Sequence, residues 1–196
     1  CLKTEGEGDG QDRNIYVQLK NSGTRASGSH VADGKDVVFN DGYLVFTNAA
    51  GSITKVVKIV KTAPAAGEVA VADLEAGKII DNVPGTSSAA YLAGNIPASL
   101  NPATVIVNNA NIDVVNKMVL TVTSQQSAGD TKEVDNVSLY GFGSIVAVTG
   151  AAHGADYEAR FDVTAVSSRF EISKISAKTT SHITGFKVAG VFVNRY

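Results

Sequence analysis

The chain has 196 residues, 44% of them hydrophobic, and its 17 basic and 19 acidic residues leave a formal net charge of −2. A charge so close to neutral, with no stretch of interleaved Arg and aromatic residues, argues against a nucleic-acid partner. No apolar run approaches the roughly 20 residues that a membrane-spanning helix needs. A chain of this length can bury about 70% of its unfolded surface, which suffices for one large β domain.

Cys1 is the one cysteine of the sequence, which excludes an intrachain disulfide and a cysteine-rich metal cluster. Because the chain begins with Cys, we expect it to have been processed or trimmed, and we expect Cys1 to be the lipidated residue left after removal of a lipoprotein signal peptide. A free surface thiol or a residue left by cloning is the alternative. Several acyl chains would anchor the protein stably, at about 0.8 kcal/mol per buried CH₂. Residues 1–13, rich in Gly and acid, then form a flexible tether.

The first part of the chain after this tether has the pattern of β-strands. Ile15, Val17 and Leu19 alternate with polar residues, which predicts a half-buried strand. Residues 20–30 are polar and rich in Gly and Ser, which predicts an exposed loop. Strands are also predicted at residues 37–39, 43–47 and 53–60, with an Asp-Gly turn between the first two.

The middle of the chain gives one helix candidate among further strands. A loop with a helical turn leads into a predicted strand at 78–83, and another short strand ends at Pro97. At residues 110–126 the spacing predicts a packed helix; its apolar positions are Ile112, Val115, Met118, Val119 and Val122. Tandem strands are the alternative there, because β-branched residues lose side-chain freedom in a helix.

The later segments are rich in Val, Ile and Phe, and they predict strands near residues 137–150, 158–166, 168–177 and 183–194. Gly141 and Gly143 in the first of these indicate a bulge or a crowded backbone. Together the elements predict a mainly β fold, an antiparallel β-sandwich with one packed helix. We place the amino-terminal sandwich at residues 14–155. Residues 156–196 either begin a second β domain or complete the sheets.

Residues suited to catalysis or metal binding are sparse. His30, His153 and His182 lie in loop contexts without HxH or HxxxH spacing, so we expect exposed loop residues, not zinc ligands. The sequence has no nucleophile elbow, phosphate-binding loop or HExxH motif, and no calcium-loop ladder of acidic residues. We therefore expect no catalytic residues, no metal and no cofactor, and we do not expect an enzyme.

Several segments, in order, resemble the landmarks of the Bacteroidetes fimbrillins, the type V pilins. They are GTRAS (23–27), VVFNDGYLVFTNAAGSITKVVKIV (37–60), NVPGTSSAAYLAGNIP (82–97), LTVTSQQ (120–126), VSLYGFGSI (137–145), SRFEISKI (168–175) and ITGFKVAGVFVNRY (183–196). The acidic residues shortly after Cys1 also look like the surface-export signals of Bacteroidetes lipoproteins.

The resemblance implies transthyretin-like β-sandwiches in two domains, with residues 156–196 as the opening strands of the second. It also implies an outer-membrane lipoprotein displayed in a fimbrium, with a role in cell adhesion and other pilin subunits as partners. In this family an Arg-directed maturation protease removes the first strand, here after Arg25, and that strand carries Ile15, Val17 and Leu19. A donor strand from a neighbouring subunit then fills the groove. A solvated loop cation is the alternative for Arg25.

Two questions stay open from the sequence. Fimbrillins continue through a full second domain that supplies the donor strand, so no donor is identifiable here, and an anchor, tip or accessory subunit fits as well as a stalk pilin. The alternative function is a surface lipoprotein that binds glycans or host ligands as an adhesin. Such a module would show exposed aromatic side chains on a concave face.

Overall fold

The computed structural model describes residues 10–20, 36–121, 123–125, 133–134, 136–150 and 153–166. The fold is mainly β, as predicted. The strands are β1 (Arg13–Lys20), β2 (Asp36–Val37), β3 (Asp41–Asn48), β4 (Ile53–Val60), β5 (Glu68–Ala70), β6 (Lys78–Val83), β7 (Ser87–Gly94), β8 (Glu133–Val134), β9 (Leu139–Ser144), β10 (Val146–Ala147) and β11 (Tyr157–Ala165). The α-helices are α1 (Val71–Ala76), α2 (Pro102–Val105) and α3 (Asp113–Asn116), and single 3-10 turns lie at Ala98–Leu100 and Thr123–Gln125.

Within the described ranges, nine strands form one curled sheet in the order β5, β4, β3, β7, β9, β11, β1, β6, with β10 also paired to β11. The pairings are mostly antiparallel, as predicted. Two ladders of this sheet are parallel, β1 with β11 and β4 with β5. β2 and β8 form a separate parallel pair.

The main core lies between the two ends of the curled sheet, which gives the fold its sandwich-like form. Along the long strands of the sheet, such as β1 and β11, alternate residues point inward, as the period of a β-strand requires. The largest fully buried side chains of this core are Ile15, Val17, Leu44, Phe46, Ile59, Leu74, Val83, Leu92 and Leu139. Helix α1 joins β5 to β6 at the two edges of the sheet, and its Leu74 is completely buried there.

A second, smaller core lies on the outer face of β3, β4 and β7. Residues 105–118 cover this face, and their backbone is tied to β4 by bonds from Ile53 N to Ala110 O and from Asn109 N to Ile53 O, both 2.8 Å long. The buried members of this core are Val45, Ile53, Ala93, Ile106, Ile112 and Val115.

The helix predicted at residues 110–126 is wrong in extent, because α3 is a single turn, Asp113–Asn116. Ile112 and Val115 pack against the sheet as the spacing indicated, but Val119 is 77% exposed. Val122 lies outside the described residues. β-Branched residues lose side-chain freedom in a helix, and a helix depends on packing of its apolar face for most of its stability, which the exposed Val119 does not provide.

β11 belongs to the same sheet as the strands before residue 155. It pairs with β1 from Ile15 opposite Tyr157 to Lys20 opposite Asp162, and with β9 beyond that point. The later strands were expected either to begin a second β domain or to complete the sheets. β11 completes the sheet. The assignment of residues 167–196 to a second domain stays a prediction, because these residues lie outside the described part.

Candidate strand-exchange site

β1 is an interior strand, with β6 antiparallel on one side and β11 parallel on the other. Neither neighbour adjoins β1 in chain order, so no hairpin ties β1 to a strand with which it pairs. If β1 left the sheet, two facing rows of backbone N–H and C=O groups would lose their partners. Such unpaired edges readily accept another strand.

The inward side chains of β1 are completely packed. Ile15 and Val17 are 0% exposed and Leu19 is 3% exposed. Full burial of each contributes on the order of 1.5–3 kcal/mol. The burial that the removable-strand hypothesis requires is present, and removal of the strand stays a prediction.

A β-bulge in β6 adjusts the edge strand to β1. The register shifts between Arg13 and Ile15, so that Arg13 lies opposite Val83 and Ile15 opposite Ile80. Asn82, the extra residue, has a φ of 54°, a left-handed value that Asn tolerates better than most residues. As a result Ile80 and Val83 both point into the core despite their spacing of three.

The outward side chain of Tyr16 is held in a site formed by Gly77, His153 and Arg160, which we call the Tyr16 site. The rings of Tyr16 and His153 stack with centroids 4.2 Å apart and planes at 14°. The guanidinium carbon of Arg160 lies 5.3 Å from the centroid of the Tyr16 ring. Tyr16 is therefore 9% exposed although it lies on the outer face of the sheet.

Gly77 leaves space for the hydroxyl end of the Tyr16 ring. Its φ is +100°, and a β-carbon there would overlap the tyrosine hydroxyl. That hydroxyl donates to the carbonyl of Ala76 at 3.5 Å. The turn between α1 and β6 is thus shaped around an aromatic side chain of β1.

Polar bonds fix the other wall of the Tyr16 site. Nη2 of Arg160 lies 2.7 Å from Nε2 of His153. A guanidinium can only donate, so a hydrogen bond between these two nitrogens has Arg160 as the donor and Nε2 of His153 as the acceptor. Nε of Arg160 also donates to Oε2 of Glu158 at 3.0 Å, which orients the guanidinium toward the ring.

Two further contacts lie toward the ends of β1, one on each face of the strand. The guanidinium of Arg13 lies 4.4 Å from the ring centroid of Tyr157. At the other end, Nε2 of Gln18 donates to the backbone carbonyl of Glu75 at 3.3 Å. Arg13 and Tyr157 are half-buried and the bond of Gln18 is exposed, so both contacts contribute less than the fully buried apolar side chains of β1.

The structure brings together only part of the predicted site. The three apolar residues of the removable strand share the inner face of β1, whereas Cys1 and Arg25 lie outside the described residues, as do His30 and His182. His153 is exposed, as expected for a loop residue, but its role beside β1 was not predicted. Among the described residues, no group of three His, Cys, Asp or Glu side chains could hold a metal ion.

The Tyr16 site was not predicted from the sequence. One local signal was available, an aromatic residue on the otherwise polar face of β1. Its partners Gly77, His153 and Arg160 are distant in sequence, and only the pairing of β1 with β6 and β11 brings them together.

A second surface of interest lies on the outer face of β7 and β9. Tyr91 and Phe142 pack with ring centroids 4.9 Å apart, and Phe142 is 48% exposed. Tyr140 is beside them and lines an apolar cavity of about 410 Å³ with Met118 among its walls. Burial raises the pKa of the Tyr140 hydroxyl, which donates to Oδ1 of Asn116 at 3.1 Å.

No protein-family model and no curated protein matches the chain. Among solved structures, it is similar to a protein from Bacteroides eggerthii described as a "putative cell adhesion protein", with a TM-score of 0.44 and 16% sequence identity. The match covers 81% of this chain and 41% of that one, so the chain spans less than half the length of its neighbour. Within the described residues, no helix is long and apolar enough to cross a bilayer.

Proposed function

We propose that the chain is a structural subunit of a surface fimbrium, as a stalk, anchor or accessory pilin, and that it assembles by exchange of β1 for a strand of another subunit. The observation that supports the proposal is the placement of β1. It is packed on both sides and fully buried on its inner face, yet no hairpin joins it to β6 or β11.

Processing after Arg25 fits this placement. β1 ends at Lys20 and the next described strand begins at Asp36. A cut after Arg25 therefore falls between two strands and interrupts no described ladder. It would leave β1 held by packing and hydrogen bonds alone.

The driving force for assembly comes from the groove that β1 would vacate. Its loss exposes the apolar pockets of Ile15, Val17 and Leu19 and the unpaired edges of β6 and β11. A strand from a neighbouring subunit restores the apolar burial and both ladders at once. The partners are then other pilin subunits and an Arg-directed maturation protease.

Arg25→Ala is the first test. The monomer should fold normally, because the change lies in the segment between β1 and β2, but it should enter no polymer. Cells that carry the partner pilins should then show no SDS-resistant ladders on gels. Arg25→Lys keeps the charge and should also abolish the ladders, whereas Arg13→Lys should preserve them. Normal ladders from both Arg25 variants would refute processing at this bond.

The location proposed is the outer surface of the outer membrane, with acyl chains on Cys1 and residues 1–13 as the tether. Mass spectrometry of the native amino terminus tests it. Acyl chains on Cys1 are expected, and an unmodified Cys1 in the membrane-associated protein would refute the anchor while leaving strand exchange intact.

A second candidate function is adhesin-type binding of glycans or host ligands on the aromatic surface of β7 and β9. The exposed ring of Phe142 beside Tyr91 and the cavity at Tyr140 favour it, because sugar rings stack on exposed aromatic side chains. A glycan array with the wild type and Phe142→Ala tests it. Binding lost in the variant would support this function, and an array without hits would exclude glycans of the types displayed.

A further inference from the structure

We infer that the Tyr16 site selects the strand that replaces β1, and that the donor must present an aromatic ring between two apolar residues. The inference rests on the proposed function, since the Tyr16 site becomes empty only if β1 leaves. The partner it names is a strand with the order apolar, aromatic, apolar, polar, apolar, which is the order of residues 15–19.

The shape of the Tyr16 site favours an aromatic ring. Gly77 lacks the β-carbon that would block the hydroxyl end of the ring, and its φ of +100° disfavours any other residue at that position. A short aliphatic side chain in place of Tyr16 would leave this space unfilled. The loss of these contacts would weaken the binding of the donor strand.

The chemistry of the Tyr16 site favours a ring as well. Arg160 presents its guanidinium to the face of the ring, and His153 stacks on it nearly in parallel. Both interactions require a π face, which an aliphatic side chain lacks. Glu158 holds Arg160 in this orientation, so the site keeps an anchored wall when the ring is absent.

The Tyr16 site also fixes the register of the incoming strand. A shift by one residue would turn the aromatic side chain into the core and the apolar ones outward. A shift by two would keep the faces but place the ring at Asn14 or Gln18, away from Gly77. Only one register fills the inner pockets and the Tyr16 site together.

β1 of a second copy has the required order, so the probe is a labelled peptide of residues 12–21, DRNIYVQLKN. The acceptor is the full chain with a recognition site for a sequence-specific protease in place of residues 23–27. After the cut, the chain is incubated with wild-type, Tyr16→Phe, Tyr16→Leu or Ile15→Asp peptide, and capture is measured by fluorescence anisotropy. Variants in the peptide leave the folding of the acceptor unchanged.

The wild-type and Tyr16→Phe peptides should be captured with similar affinity. The Tyr16→Leu peptide should bind with about tenfold lower affinity. The Ile15→Asp peptide should not be captured. Arg160→Ala in the acceptor should shrink the advantage of the Tyr peptide over the Leu peptide, a ratio that a merely structural role of Arg160 would not change.

The outcomes separate the two proposals. Equal capture of the Tyr16→Leu and wild-type peptides would overturn selection by the Tyr16 site while strand exchange stands. Absence of capture of every peptide, the wild type included, would overturn strand exchange and the selection with it.

Discussion

The ring of Phe161 in β11 covers Gly143 in β9 so closely that a β-carbon on the glycine would lie 2.7 Å from the ring. Gly141 lies against the same ring at an equal distance. The crowded backbone predicted for these two glycines is thereby confirmed. Phe161 is 4% exposed and belongs to the main core, so the glycines let β9 approach an aromatic side chain that cannot move aside.

Gly141→Ala and Gly143→Ala should each destabilise the fold by about 1–3 kcal/mol, because the added methyl group overpacks a buried ring. Denaturant unfolding followed by circular dichroism measures the change. Gly10→Ala is the control, since nothing lies within 4 Å of a β-carbon there. If the unfolding midpoints of the three variants coincide, a methyl group against Phe161 does not destabilise the fold.

Asn95 is a buried polar residue that joins three segments beyond the end of β7. Its Nδ2 donates to the carbonyls of Val38 at 2.8 Å and Val137 at 3.0 Å, and its Oδ1 accepts from the backbone N–H of Asn40 at 2.9 Å. Its φ is 50°. The side chain thus satisfies three backbone groups in a conformation that favours Asn or Gly.

One unsatisfied buried group lowers the free energy of unfolding by roughly 1–3 kcal/mol. Asn95→Gly should lower it by more, because three backbone groups lose their partner. The free energy of unfolding in urea measures it. Asn109→Gly is the matched control, because Asn109 also has a positive φ, 68°, but is exposed. If the free energy of unfolding falls by a similar amount in the two variants, the side-chain hydrogen bonds of Asn95 contribute nothing to stability beyond the backbone conformation.

Glu68 ties the edge strand β5 to the rest of the sheet. Its carboxylate accepts from the N–H of Ala65 at 3.0 Å and from Nζ of Lys58 at 2.9 Å. These two bonds, the backbone one first, lower the pKa of Glu68 below its ordinary value of 4.5. A lowered pKa in the folded state means that the stabilisation is present above the ordinary carboxyl pKa and disappears as the pH falls through the folded value.

Glu68→Gln should therefore lower the thermal unfolding midpoint at pH 7, and the difference from the wild type should shrink as the pH falls below about 4.5. Asp81→Asn, which changes an exposed carboxylate of β6, is the matched control. Thermal melts across this pH range provide the measurement. A difference for Glu68→Gln that stays constant down to pH 2 would contradict a role for its ionised form.

Local patterns were enough to predict most strands. β4 spans residues 53–60 and β6 spans residues 78–83, as predicted, because alternation and flanking turn residues are local features. The prediction of an Asp-Gly turn at residues 41–42 was wrong. Gly42 lies inside β3, where a β-carbon would come 2.5 Å from the carbonyl oxygen of Ala93 in β7, so this glycine serves close strand approach.

The candidate site was predictable only on its inner face. Alternation along β1 identified Ile15, Val17 and Leu19, but nothing in the sequence indicates that β1 lies beside β11 in parallel. The partners of Tyr16 depend on that pairing and on the turn at Gly77. Long-range strand order therefore decides the site, and it is not encoded in any single segment.

Replacement of β1 by an equivalent strand is tested most directly by hydrogen exchange in the chain cut between β1 and β2. Once β1 is removed, those amides of Lys78–Val83 and of residues 157–162 that bond to β1 should exchange fast, because their partners are gone. Addition of the peptide of residues 12–21 should restore the slow exchange of the uncut chain. If the amides that bond to β1 stay protected without it, or if they still exchange fast with the peptide in excess, strand replacement at this site is contradicted.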